Sequence, residues 1–129
     1  MADAALDVAP RLRRRNSMLE GMELFRSVRT QRSFSALILF LYACENEGLT
    51  FTELAELAGM PIASASRLIR SLLGHHDRAN QAVDPPLFEV QMSPSDARIK
   101  AIVLSEEGRA MRDAFESLIA AARPIADDA

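Results

Sequence analysis

The chain is poor in cysteine and in the larger aromatics: its 129 residues include one Cys, Cys44, one Tyr and no Trp. A lone thiol excludes an intramolecular disulfide and suits a reducing compartment. Nothing basic stands beside Cys44 in the sequence to lower its pKa, so a packed thiol is expected there rather than a redox sensor. Long apolar runs are also missing. The longest, Phe34 to Cys44 broken only by Ser35, covers 11 residues, whereas a membrane span needs about 20. It reads as a buried helix, and no membrane partner is expected. The N-terminus has no apolar segment of the signal-peptide kind, which points to the cytoplasm. Positive charge is scarce as well. The net charge is −3, which argues against a protein that coats nucleic acid nonspecifically.

Catalytic equipment is equally thin. No nucleophile with a base, no carboxylate pair and no glycine loop for phosphates can be found, so neither an enzyme nor a bound cofactor is expected. His75, His76 and Asp77 invite a metal reading, but adjacent side chains rarely converge on one ion and no further His or Cys completes a set. No metal is expected.

What the sequence does contain is helical periodicity. Residues 1–16 read as a flexible arm, ending in the basic cluster RLRRRN at 11–16, which suits either phosphate contact or a solvated helix start. Residues 17–32 form an amphipathic helix with Met18, Leu19, Met22, Phe25 and Val28 on one face and Arg26, Arg29 and Arg32 on the other. Gly21 weakens it slightly. Ser33 is placed to cap a second helix, SFSALILFLYACENEG, apolar nearly all round and therefore central.

Residues 50–74, TFTELAELAGMPIASASRLIRSLLG, read as two helices joined by a tight turn. Thr50 and Glu53 have the spacing of a capping box; Phe51, Leu54, Ala55 and Ala58 form the buried face. Gly59 ends that helix and Pro61 suits the first turn of the next. The second helix turns Ile62, Ala65, Leu68, Ile69, Leu72 and Leu73 inward, leaving Ser64, Ser66, Arg67, Arg70 and Ser71 outside. Small hydroxyls allow close approach to a duplex and arginines reach phosphates or guanine edges, so this face suits a recognition helix, though it also suits plain solvent.

Polar residues 75–86 form a loop. Leu87–Met92 and Ile99–Leu104 then read as two strands, joined by the Ser-Pro and Ser-Asp turn chemistry of a hairpin. A hairpin after a helix-turn-helix is the layout of a winged helix, with Arg98 and Lys100 near the wing tip, where arginine can enter a narrow minor groove. Ser105 caps the last helix, with Glu106 and Glu107 in its first turn. Its stripe of Met111, Phe115, Leu118, Ile119 and Ala122, added to that of the first helix, exceeds what so small a domain needs to cover itself. A partner chain is the expected cover.

DARIKAIVLSEEG, residues 96–108, resembles the wing and following helix of MarR-family regulators. That pattern has an Asp, an Arg two positions on, an apolar strand ending in Leu-Thr, then acidic residues and a Gly; here these are Asp96, Arg98, Leu104, Ser105 and Gly108. LAELAGMPIASASRLIRSL is similar to the family's helix-turn-helix, with Ser64, Ser66 and Arg67 at its hydroxyl, hydroxyl and arginine positions. The similarity runs through about residues 17–122. It implies a mainly α fold with a small β-hairpin: one winged helix-turn-helix domain over 17–126, flanked by dimerisation helices at about 17–32 and 105–123. The helix-turn-helix takes about 50–74 and the wing about 87–105. It further implies a homodimeric, sequence-specific regulator of transcription, of the repressor kind, with its recognition helices in successive major grooves of double-stranded DNA. A wing arginine would enter the minor groove, with Asp96 orienting Arg98.

Many members of that family release DNA on binding small phenolic or lipophilic effectors. Met22, Phe25, Phe34, Phe40 and Tyr42 are the candidates to line such a pocket, although aromatics and Met at helical spacing also suit a core. The chain departs from the family pattern in three places. Residues 75–86 are an insertion, Val90 and Gln91 stand where the wing usually carries bases, and the terminal helices are short. The acidic balance and those missing bases keep a second reading open, a winged-helix module that binds protein with weak or no DNA binding.

Overall fold

The computed structural model describes residues 16–28, 33–74, 85–92, 95, 96 and 98–126. The arginines at 11–15, the expected helix end at 29–32 and His75, His76 and Asp77 lie outside the described residues. The described elements run in the order α1 (Ser17–Val28), α2 (Phe34–Glu45), α3 (Phe51–Ala58), α4 (Ile62–Leu72), β1 (Phe88–Met92), β2 (Lys100–Leu104) and α5 (Glu106–Ala121).

Four of the five described helices start where a short polar side chain satisfies a first-turn amide, whereas α4 starts after Pro61 with no side-chain cap. The Ser33 hydroxyl accepts from the Ala36 amide at 3.0 Å. At α3 the Thr50 hydroxyl accepts from the Glu53 amide at 3.1 Å while the Glu53 carboxylate accepts from the Thr50 amide at 2.9 Å, a reciprocal capping box. Ser105 caps α5 by accepting from the Gly108 amide at 2.9 Å, and donates its own proton to the Pro86 carbonyl. Asn16, expected in the arm, instead caps α1 through its side-chain oxygen, 2.7 Å from the Leu19 amide. Gly59 closes α3 in the left-handed region, φ 70°, and the Met60 amide returns to the Ala55 carbonyl at 2.9 Å. That tight exit sets α4 against α3.

α2 is the central post. Leu39 and Phe40 are wholly buried, and the Phe40 ring lies 6.4, 6.2 and 6.3 Å from those of Phe25, Phe88 and Phe115. One side chain therefore ties α2 to α1, β1 and α5, in the tilted and offset geometries that aromatic rings favour. Leu54, Ala65, Ile69, Leu72, Ile102 and Leu104 complete the core.

β1 and β2 pair antiparallel from Phe88 opposite Leu104 to Met92 opposite Lys100. Both begin one residue later than the pattern suggests, because the preceding amides are used elsewhere. Leu87 donates to the Leu72 carbonyl at the end of α4, and Ile99 to the Asp96 carbonyl within the turn. On its far side β2 exchanges bonds with the segment before α3, from the Ile102 amide to the Leu49 carbonyl and from the Gly48 amide to the Ile102 carbonyl, both 2.8 Å. β1 is thus an outer strand. The Glu47 carboxylate accepts from the Leu104 amide at 2.8 Å, joining the end of α2 to the base of the hairpin.

The inward faces differ from expectation at three places. Ile62 is exposed rather than buried: Ala65, Ile69 and Leu72 hold the centre of the inward arc, and Ile62 sits at its edge in the terminal turn. On α1 the residues facing inward are Gly21 and Phe25, with Leu24 and Val28 partly covered, while Met18, Leu19 and Met22 are exposed. On α5 Met111 is buried and Phe115 packs on the core, but Ile119 is 70% exposed. Gly21 is where α1 and α5 come close, since a Cβ there would stand 2.7 Å from the Phe115 ring. The start of α1 is tied to the residues after α5 by the Ser17 amide on the Arg123 carbonyl, the Arg123 amide on the Ser17 hydroxyl, and an ion pair between Arg123 and Glu20.

Candidate nucleic-acid interface

α4 is held by its apolar arc and leaves its opposite side open. Arg67 and Arg70 are exposed, and Ser64, Ser66 and Ser71 are partly covered. Ala63, not singled out by the sequence pattern, is also exposed. It shares one line of the helix with Arg67 and Arg70, at i, i+4 and i+7, so it stands at the middle of the outward face. Among the described residues no acidic side chain holds either arginine.

At the hairpin tip Arg98 is clamped. Its Nε donates to Asp96 Oδ1 at 3.1 Å, its Nη2 to Oδ2 at 3.0 Å, and its backbone amide to Oδ1 at 3.0 Å. This fork-to-carboxylate geometry fixes the direction of the guanidinium while its side chain remains 91% exposed. The side-chain bonds from Arg98, and then its backbone bond, hold the Asp96 carboxyl below the usual range, and the carboxylate in turn raises the pKa of Arg98. Lys100 is exposed at the last rung of the ladder.

α4 and the hairpin border one open cleft of about 880 Å³, floored by Phe51, Leu73 and Phe88, with Arg70 on one side and Lys100 on the other. Of the expected contact residues, the fold brings Arg70 and Lys100 to this cleft and Asp96 and Arg98 to one clamp. The chemistry available is hydrogen bonding and positive charge on two projections. Among the described residues no group of three His, Cys, Asp or Glu could hold a metal ion.

The five aromatic and Met candidates for an effector pocket separate. Met22, Phe25 and Phe34 line a groove of about 300 Å³ between α1 and α2. Phe40 is in the centre of the core and Tyr42 packs against that core, and neither lines this groove. Helical spacing alone cannot separate a side chain that lines a groove from one a turn away that fills the interior.

Comparison with known proteins agrees with this geometry. The IclR helix-turn-helix domain matches residues 31–75, the stretch from α2 through α4. No curated protein sequence matches the chain. Among solved structures, the chain is similar to the transcriptional repressor CouR bound to a 23-mer DNA duplex, with 23% identity over 95% of this chain and 75% of that one and a TM-score of 0.52. It is also similar to a mutant of S. aureus MepR bound to an oligodeoxyribonucleotide, with 19% identity over 94% and 78% and a TM-score of 0.55. A MarR family transcription regulator gives 18% identity over 93% and 70% and a TM-score of 0.53. The chain spans only 55% and 59% of the length of two other matched structures. Helix order, hairpin and likeness together define a winged helix-turn-helix protein. Its fold is that of the MarR-family regulators. No described helix is long and apolar enough to cross a membrane.

Proposed function

We propose that this chain is a dimeric, sequence-specific DNA-binding regulator of transcription of the MarR family, acting in the cytoplasm as a repressor rather than as an enzyme. The observation that carries the reading is the pair of projections: a serine and arginine face on α4, and a clamped guanidinium at the tip of the neighbouring hairpin. α4 enters the major groove with Ser64, Ser66, Arg67, Arg70 and Ser71 toward the duplex. Arg98, oriented by Asp96, enters the adjacent minor groove, and Lys100 takes a phosphate. CouR and MepR bound to DNA supply the analogy.

The second copy covers the apolar residues this chain leaves out at the junction of α1 and α5, where Met18 is 65% and Ile119 70% exposed. Such a pairing sets two recognition helices at a fixed spacing. A small lipophilic or phenolic effector takes the groove with Met22, Phe25 and Phe34, beside that junction, and alters the spacing. The test is enrichment of binding sites from random duplexes followed by gel-shift titration at fixed salt. Arg67→Ala and Arg98→Ala are expected to weaken binding to the enriched site about tenfold or more; unchanged affinity in both would remove these residues from the interface.

One observation favours a protein-binding module instead. Val90 and Met92, on the outer strand of the wing, are exposed at the part of the hairpin where the family usually carries bases. Failure to enrich any duplex, with recovery of a defined protein partner, would support that reading.

A further inference from the structure

The first turn of α4 carries an apolar side chain at the edge of the inward arc that the core leaves half open. Ile62 is 48% exposed, and Ala63 beside it is exposed as well. A branched aliphatic group can neither grip a phosphate nor accept from an amino group. In the major groove the one apolar feature a base pair offers is the thymine 5-methyl. N-terminal residues of a recognition helix are those that meet base edges. Ile62 is also stiff, since a β-branched side chain in a helix is held near one χ1 rotamer, so contact costs it little conformational freedom.

We propose that Ile62, with Ala63 at its side, reads the methyl group of a thymine in each half-site, and so sets base preference where the arginines supply affinity. The inference rests on the DNA-binding reading above and goes beyond it by assigning an apolar reader and the base it selects. It also gives the exposed isoleucine a role distinct from that of Arg67 and Arg70. An apolar contact displaces no counterion, so its removal leaves the salt dependence of binding alone, unlike removal of a phosphate contact.

The test replaces each thymine of an enriched site, one at a time, by deoxyuridine, which keeps the base pair and deletes only the methyl. The native protein should lose roughly fourfold in affinity at one thymine per half-site, the worth of one methyl taken from water. Ile62→Ala should bind the thymine duplex more weakly and be indifferent to deoxyuridine at that position, with an unchanged salt slope. Arg67→Ala should keep the methyl preference. Because Ile62 is on the surface, the variant is expected to fold, which its circular dichroism melting curve checks. A native protein indifferent to methyl loss at every thymine, or an Ile62→Ala protein with undiminished discrimination, overturns the assignment while leaving DNA binding intact. Failure of the native protein to bind any duplex overturns the DNA-binding reading itself, and this one with it.

Discussion

A Cβ on Gly108 would stand 2.1 Å from the carbonyl oxygen of Leu87. That carbonyl is already engaged by the Ser105 amide at 3.0 Å, so the base of the wing and the first turn of α5 meet backbone to backbone. Gly108→Ala must push the two apart, and backbone cannot rotate out of the way as a side chain can. The expected cost is about 1–3 kcal/mol or more in urea unfolding, the usual range for overpacking.

Gly21 provides the contrast. A methyl there meets the edge of the Phe115 ring, a side chain that can shift, and alanine in mid-helix regains up to about 1 kcal/mol of propensity over glycine. Gly21→Ala is expected to change unfolding free energy by less than about 1 kcal/mol. A loss equal to that of Gly108→Ala would mean that the α1–α5 contact is as unyielding as the wing joint.

The clamp at the wing tip carries a pH signature. Because Arg98 holds the Asp96 carboxyl below its ordinary value near 3.8, the interaction is complete above that value and is lost as pH falls through the lowered one. Carboxyl NMR should show Asp96 titrating below the ordinary aspartate range in the native protein and returning upward in Arg98→Ala. In DNA binding, Asp96→Asn should weaken affinity without altering its salt dependence, whereas Arg98→Ala should reduce the salt slope by about 1 if the guanidinium displaces a counterion.

Cys44 should be inert. Burial pushes its thiol up to about 12, with Glu47, Glu45 and Glu116 adding to the rise and Arg112 opposing it. Alkylation at pH 8 is therefore expected to run on the order of a hundredfold or more slower in the folded than in the urea-unfolded chain, because the thiolate is the nucleophile. A folded pKa above the unfolded one leaves stability intact below about 9 and erodes it as pH climbs from 9.0 toward 12. The Cys44→Ala protein should lose less stability over that interval.

Exposed apolar residues at the junction of α1 and α5 predict the assembly. Met18→Glu combined with Ile119→Glu should yield monomers in sedimentation velocity and weaken binding to a two-half-site duplex far more than to a single half-site. A double variant that remained dimeric would move the interface elsewhere.

How much of this was legible beforehand depends on the range of each interaction. The caps at Ser33, Thr50 and Ser105 and the break at Gly59 involve bonds between residues three or four apart, so the string of letters suffices to locate them. The Asp96 and Arg98 pairing is shorter still, two residues, and its detection needed only the wing to be recognised. By contrast, nothing near Phe40 in the sequence distinguishes it from Phe34. One fills the centre against rings contributed by residues 25, 88 and 115, and the other stays at the surface.

The amino-acid sequence by itself determined where α2, α3 and α5 begin and where α3 ends, which face of α4 is polar, and that a hairpin follows it, because those properties are fixed by neighbouring residues and by the helical and strand repeats. Only the tertiary structure decided that Ile62 falls outside the core, that Leu87 bonds to α4 rather than extending β1, and that Gly21 and Gly108 are sites of close approach. Each of these depends on which distant piece of chain arrives beside the residue, and periodicity carries no information about the far side of a contact.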